Sequence, residues 1–297
     1  MTLKNFGKVK ELEQSKSLLN TTRIGNTEFR WGERTYVIGI CNLSPDSFSG
    51  DGLGNDIEAV VALAKRMVAE GADIIDVGGE STRPSAEPLP INDIDNELRL
   101  VIPVIERLVS EIPVPISIDT YKSGVASRAL KAGAAMINDI WGLKRDPELA
   151  DLAAETGVPI ILMSNQRDAP CEDIMPEIIS DLHRGINLAV KAGVPEENII
   201  IDPGIGFGKT HEQNLEIIRR LAELKSLGRP ILLGSSRKAL IGLVLDLPTD
   251  QRLEGTAATV AIGITNGADM VRVHDVKQMV RVCRMSDAII RRRTASD

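Results

Sequence analysis

Short apolar runs recur along the chain, each rich in β-branched residues and each turning polar at its end. They are YVIGICN (36–42), ADIIDVGG (72–79), PISIDT (115–120), MINDI (136–140), PIILMS (159–164), NIIIDPG (198–204), PILLGS (230–235) and MVRVHD (270–275). A strand with one wet face alternates apolar and polar residues. These runs are apolar almost throughout, which predicts parallel strands buried on both faces. Helical patterns lie between them. IEAVVALAKRMVAEGA (57–72) sets Val60, Leu63, Ala64 and Met67 at helical spacing and stops at Gly71, and NLEIIRRLAELKSLG (214–228) predicts a helix ending at Gly228.

Eight strand–helix alternations within 297 residues predict an α/β fold, a (β/α)8 TIM barrel. An open dinucleotide-binding sheet would need G-x-G-x-x-G after the first strand, where Asn42-Leu43-Ser44-Pro45 stands. GIGFGKT (204–210) is not a P-loop, because that motif needs Gly five positions before Gly208 and Pro203 is there. The division expected is an N-terminal extension over 1–34 and a barrel domain over 35–297. Within the extension, Gly25-Asn26 separates two short extended runs, which predicts a hairpin over 21–31, placed to plug the barrel floor. Residues 1–20 read as a loose helix or disordered chain.

Composition narrows the function classes. Apolar residues are 43% and charged residues 26%, ordinary for a soluble core-forming chain. Aromatics at 3% and a net charge of −7 argue against a nucleic-acid partner, while leaving room for a small phosphorylated ligand held by local Arg and Lys. Three cysteines without a CxxC pair fit a reducing cytoplasm rather than a disulfide framework or structural zinc site. The first twenty residues lack an apolar signal region, and no apolar run approaches the roughly 18 residues of a membrane helix.

The candidate chemistry lies at the polar strand ends: Asn42, Asp76, Asp119, Asn138, Ser164, Asp202, Ser235 with Ser236, and Arg272 with His274. Catalytic groups of β/α barrels sit on that face. A single such residue is equally well a helix cap, which does not explain the whole ring. In the last run, alternation sets Arg272 and His274 on one face, opposite Asp275. Two potential cations there call for a bound anion. Arg237 and Lys238 lead directly into a helix, where cations are disfavoured and free N–H groups attract anions, so they read as ligand contacts or as salt-bridged residues. Asp119, Asn138 and Asp202 can hold a flat heterocycle edge-on or a metal; with few histidines nearby, an organic ligand or weakly held Mg²⁺ is favoured over zinc. The Gly- and Pro-containing loops after the first two strands read as structured lids. His183 and His211 read as surface or packing residues, and Arg291-Arg292-Arg293 as a complement to the end of the last helix.

Seven motifs, CNLSPDSFS, DVGGESTRP, SIDTYK, INDI, DPGIGFGK, GSSRK and RVHDV, occur in an order that closely resembles dihydropteroate synthases, from about residue 22 to the C-terminus. The resemblance implies a barrel that condenses a dihydropterin pyrophosphate with p-aminobenzoate, with Mg²⁺, commonly as a homodimer. It implies pterin contacts from Asp119, Asn138, Met163, Asp202 and Lys238. It implies p-aminobenzoate contacts from Thr82, Arg83, Pro84, Phe207, Ser236 and Lys238. Asn42, Arg83, Arg272 and His274 would hold pyrophosphate, with Asn42 also on Mg²⁺. Asp119, Lys238, Arg83, Arg272 and His274 would carry the chemistry. The chain departs from the family at Ser164, where a histidine near the pterin pocket is common, and at the loop acid Asp51, displaced by one position. The alternatives are a methyltetrahydrofolate:corrinoid methyltransferase-type domain, which generally lacks the loop motifs, and a non-catalytic pterin-binding paralogue.

Overall fold

In a computed structural model describing residues 21–43, 56–80, 91, 93–167 and 172–291, each of the eight apolar runs contains one strand of a parallel barrel. The expectations for residues 1–20, Asp51, Thr82, Arg83, Pro84, Cys171, Arg292 and Arg293 fall outside the described residues. A hairpin of β1 (Thr21–Ile24) and β2 (Thr27–Arg30) comes first. The barrel follows: β3 (Tyr36–Asn42), α1 (Ile57–Glu70), β4 (Ile74–Gly78), α2 (Asp95–Glu111), β5 (Ile116–Asp119), α3 (Ser123–Ala132), β6 (Met136–Asp139), α4 (Glu148–Thr156) and β7 (Ile160–Met163). It continues with α5 (Ile174–Ala192), β8 (Ile199–Asp202), α6 (His211–Arg219), β9 (Leu232–Leu233), α7 (Ala239–Leu245), α8 (Leu253–Thr265), β10 (Met270–Val273) and α9 (Val276–Ile290). Strand order is β8-β7-β6-β5-β4-β3-β10-β9. A parallel bridge between Ile201 and Ile231, with Ile201 N donating to Pro230 O at 3.0 Å, closes the ring.

Local signals set the helix ends. Asp56 accepts from Ala59 N at 3.0 Å to start α1, and Gly71, at φ 106°, ends it in the left-handed conformation that only glycine adopts cheaply. The single helix expected over 214–228 is instead two pieces. Thr210 and Gln213 form a reciprocal capping box, so α6 starts earlier, at His211. After Arg219 the chain tightens into a 3₁₀ segment, Leu221–Leu227. Leu221, Leu224 and Leu227, the first two buried, recur every third residue, which matches the three residues per turn of that helix better than 3.6.

The barrel interior is layered. One inward layer is apolar: Ile38, Ile74, Met136, Ile161, Ile200, Leu232 and Met270 form one buried cluster with Ile24 and Phe29 of the hairpin. The hairpin therefore stoppers the barrel at the N-terminal ends of its strands, with the Phe29 and Tyr36 rings 4.7 Å apart and Trp31 edge-on to Tyr36 at 5.4 Å. Two residues further along the strands the same inward face carries Asp76, Asn138, Met163, Asp202 and Arg272. Period-two alternation thus turns an apolar floor into a polar mouth within one step of each strand.

Candidate active site

Arg272 reaches from β10 across β3 to carboxylates on the next two strands. Its Nε donates to Asp76 Oδ2 at 2.6 Å and its Nη2 to Asp119 Oδ2 at 2.7 Å. Asn138 Nδ2 donates to the same Asp76 oxygen at 3.1 Å. On the other side of the mouth Asp202 Oδ1 accepts from Gly204 N at 2.6 Å. Gly204 sits at φ +72°, and a Cβ there would stand 2.0 Å from the Ser164 carbonyl oxygen, so no other residue fits this turn. Lys238, at the start of α7, bends back so that its ammonium bonds the Ile205 carbonyl and lies 4.5 Å from the Phe207 ring centroid. The Arg167 guanidinium stands 4.9 Å from that ring. Phe207 is itself fixed from behind by Lys209, whose Nζ donates to Ser164 O at 2.9 Å and Phe207 O at 3.2 Å. Met163 packs with Tyr121, Ile140, Trp141 and Phe207 into a small apolar wall.

Burial and charge tune these groups against each other. Burial lifts Asp119 to about 7, with the Arg272 guanidinium pulling the other way and Asp76 adding to the rise. Burial also lifts Asp202, against the opposing pull of Lys238. Lys238 falls to about 8, chiefly through burial, with Asp202 holding it up. Lys209 falls to about 7 for the same main reason. Arg272 stays charged because Asp76 and Asp119 more than offset its desolvation.

His274 is different in kind. Burial, with Arg237 and Arg272 nearby, pushes it down to about 3, so it is a neutral imidazole. Its backbone N donates to Ser236 Oγ at 3.2 Å, and the Ser236 hydroxyl lies 3.0 Å from its Nδ1. The hydroxyl oxygen accepts the first bond and keeps both a hydrogen and a second lone pair for the ring nitrogen.

Three expectations change. The cation pair of the last strand does not stand without internal partners: Arg272 is paired twice, because a guanidinium on a tilted barrel strand reaches residues that alternation along one strand does not reveal, and His274 carries no charge. Arg237 is the salt-bridged residue of the two readings offered for it, its Nε and Nη2 meeting Asp275 at 2.9 and 2.6 Å. Ser164 is not at the heterocycle end of the mouth. It points outward to α5, donating to Asp181 Oδ2 at 2.9 Å and accepting from Gln166 Nε2 at 3.1 Å, while its neighbour Met163 takes the inward position.

Of the residues singled out from the sequence, Asp119, Asn138, Met163, Asp202, Phe207, Ser236, Lys238, Arg272 and His274 line this one mouth, and Asn42 ends β3 beside Gly78 at its rim. Lys122 was missed. It is fully buried, its Nζ 2.7 Å from Glu80 Oε2, 3.1 Å from Glu97 Oε2 and 3.1 Å from the Asp93 carbonyl. Nothing in a sequence distinguishes a lysine at a helix start from one buried between two acids. Asp76 was read only as a polar strand end, yet it touches two members of the ring.

Residues 38–274 match the model of the pterin binding enzyme family. The dihydropteroate synthase of Clostridium beijerinckii is 52% identical over 271 residues, 91% of this chain and 100% of that one. The chain belongs to the dihydropteroate synthase family. It is an enzyme, a transferase like the others of that family. The Bacillus subtilis dihydropteroate synthase is 53% identical over 258 residues, 87% of this chain and 90% of its own length. A crystal structure of the Clostridium difficile dihydropteroate synthase in the presence of pteroic acid has a TM-score of 0.83 at 50% identity, covering 89% of this chain and 100% of the other. The Xanthomonas albilineans dihydropteroate synthase with 4-aminobenzoic acid has a TM-score of 0.84 at 40% identity, covering 91% and 98%.

Proposed function

We propose that this protein condenses 6-hydroxymethyl-7,8-dihydropterin pyrophosphate with p-aminobenzoate, giving 7,8-dihydropteroate and pyrophosphate. The observation that carries this reading is the set Asp119, Asn138 and Asp202, buried at the strand ends of the mouth, with half-buried Lys238 turned back towards them from the start of α7. Acids and an amide at that depth suit a flat ligand with several in-plane donors and acceptors. The ligands named for the Clostridium difficile and Xanthomonas albilineans relatives, pteroic acid and 4-aminobenzoic acid, support the same pairing of substrates.

In this reading Asp119, Asn138, Asp202, Lys238 and Met163 hold the pterin. Asn42, Arg83, Arg272 and His274 face the pyrophosphate, and Thr82, Arg83, Pro84, Phe207 and Ser236 receive p-aminobenzoate. As the C–O bond to pyrophosphate breaks, negative charge grows on the leaving group, where Arg272 and Arg83 oppose it. The carbocation left behind is shared with the pterin ring, beside the Asp119 carboxylate. The arylamine nitrogen then forms the new C–N bond and sheds a proton; an amine of that kind needs no strong base. Among the described residues no group of three His, Cys, Asp or Glu stands close enough to hold a metal ion. Mg²⁺ commonly binds through one or two protein oxygens plus substrate phosphates, so the Asn42 carboxamide oxygen fits it as a partner to pyrophosphate. Bound there, the ion would neutralise the leaving group.

A homodimer is part of this proposal. Exposed apolar side chains on three neighbouring helices, among them Leu243 and Val244 of α7, Ile262 of α8, and Met285 and Ile289 of α9, offer it a face. Ile289→Glu should then shift sedimentation towards the monomer, and an unchanged dimer would remove this face. The cytoplasm is the proposed compartment, in keeping with buried free thiols at Cys41 and Cys283. No helix of the described residues is long and apolar enough to cross a membrane.

The function is tested by giving the purified protein the pterin pyrophosphate, p-aminobenzoate and Mg²⁺ and following pyrophosphate release. Release that depends on p-aminobenzoate is expected. Tight pterin binding without release would mark a non-catalytic paralogue, and methyl transfer from methyltetrahydrofolate to cobalamin would mark the corrinoid methyltransferase chemistry.

A further inference from the structure

Asp76 is the deepest acid of the mouth, 1% exposed, and two residues of different strands converge on one of its oxygens. Asn138 Nδ2 from β6 and Arg272 Nε from β10 both donate to Oδ2, at 3.1 and 2.6 Å. Its other oxygen, Oδ1, is buried with no donor among the described residues. A half-satisfied buried carboxylate costs stability, so its presence is not explained by the fold alone. Its contacts have a direct consequence. With the Asn138 amino group turned to Asp76, the Asn138 carbonyl oxygen is the atom left to the mouth, which makes that point an acceptor. With Arg272 Nε held by the same oxygen and Nη2 held by Asp119, the guanidinium plane is fixed from two sides.

We propose that Asp76 is a positioning residue that sets the donor–acceptor polarity of Asn138 and the plane of Arg272 together, so that the heterocycle and the leaving group are aligned by one shared carboxylate oxygen. Asp76 need not touch either substrate. This rests on the reading of Asn138 and Arg272 as substrate contacts. Asp76→Asn keeps the shape and removes the charge; an amide at 76 can no longer accept equally well from a guanidinium and a carboxamide through one oxygen. The heterocycle then meets an Asn138 free to turn, and its affinity falls by about 10- to 100-fold, the usual worth of charge-assisted hydrogen bonds. The p-aminobenzoate side has no contact with Asp76 among the described residues and keeps its KM within about twofold.

The test measures pteroic acid binding by calorimetry, and kcat with both KM values, for wild type, Asp76→Asn, Asp76→Glu and Ser117→Ala. Ser117 pairs with Asp76 across β4 and β5 and lies in the same buried layer, so it controls for general disturbance there. The expected result is a loss confined to the pterin side, large in Asp76→Asn and smaller in Asp76→Glu, which keeps the charge, with Ser117→Ala near wild type. A double-mutant cycle between Asp76→Asn and Asn138→Ala should be strongly non-additive. Equal losses on both substrates, additivity with Asn138→Ala, or wild-type pteroic acid binding in Asp76→Asn would overturn the proposal. If Asp76→Asn does not fold, Asp76→Glu carries the same comparison. The binding arm needs no turnover, so a wild type without synthase activity would sink the proposed function while leaving Asp76 judged on heterocycle binding.

Discussion

Lys122→Met tests the largest electrostatic commitment in the molecule outside the mouth. The wild-type ammonium is fully buried and serves Glu80, Glu97 and the Asp93 carbonyl at 2.7, 3.1 and 3.1 Å. Methionine fills nearly the same space, so packing changes little. What remains is two acids, 13% and 3% exposed, with their cation gone. Breaking a buried pair from one side costs about 3–5 kcal/mol. The pH dependence follows from Glu97. Burial already holds its carboxyl above the ordinary range, with Lys122 pulling it down. Without Lys122 it rises further. A carboxyl whose folded-state pKa is raised favours the fold fully below its unfolded value, about 4.3, and that advantage disappears as pH rises through the folded value. The deficit of Lys122→Met against wild type should therefore be largest near pH 8 and shrink towards pH 5. Urea denaturation followed by tryptophan fluorescence at both pH values reads it. A deficit below about 1 kcal/mol at pH 8, the range of an exposed ion pair, or one that does not change with pH, would refute the argument. Glu80 and Asp93 also flank the segment holding Thr82, Arg83 and Pro84, so the same variant should raise the KM for p-aminobenzoate more than that for the pterin.

Other expectations are simpler. Ser164→Ala removes a hydrogen bond to Asp181 on the outer side of β7, so it should lower stability by about 1.5–3 kcal/mol while kcat and both KM values stay within about twofold; a raised pterin KM would return Ser164 to the pocket. Phe29→Ala empties the stopper of the barrel and should cost about 3–5 kcal/mol in denaturation, with the active site's KM values unchanged in whatever folded fraction remains. In the proposed reaction, kcat/KM should rise with pH as Asp119 ionises near about 7 and fall as Lys238 loses its proton near about 8, a narrow bell; a flat profile from pH 6 to 9.5 would mean neither charge state matters.

The fold was legible because each barrel strand is apolar on both faces, and only a few architectures bury such strands. The hairpin was legible from two residues, Gly25 and Asn26, and its place at the barrel floor follows from Ile24 and Phe29 being the apolar members of short strands. The break after Arg219 was written in the three-residue spacing of Leu221, Leu224 and Leu227, but that spacing also fits a helical face, and only packing decides between them. The contents of the mouth were legible as a set and not as pairs. Alternation places Arg272 inward; it does not say that the guanidinium meets Asp76 and Asp119 from other strands, since that depends on strand tilt and stagger.

Ser164 shows how much further the same rule reaches when applied to every strand. Ile161 belongs to the floor layer, so Met163 must point inward and Ser164 outward. Alternation alone puts the departure at position 164 on the helix side, where it joins Asp181 and Gln166. By the same count Asp76 follows Ile74 inward, Asn138 follows Met136, Asp202 follows Ile200 and Arg272 follows Met270. These four polar members of the mouth are therefore each the residue two places after a member of the floor, whereas Asp119 follows Ser117. The floor needs the hairpin to keep water from its apolar layer. A change in the floor, such as Phe29→Ala, should thus act on stability first, because the charged contacts one layer up, Arg272 with Asp76 and Asp119 above all, bind the strand ends to one another independently of it.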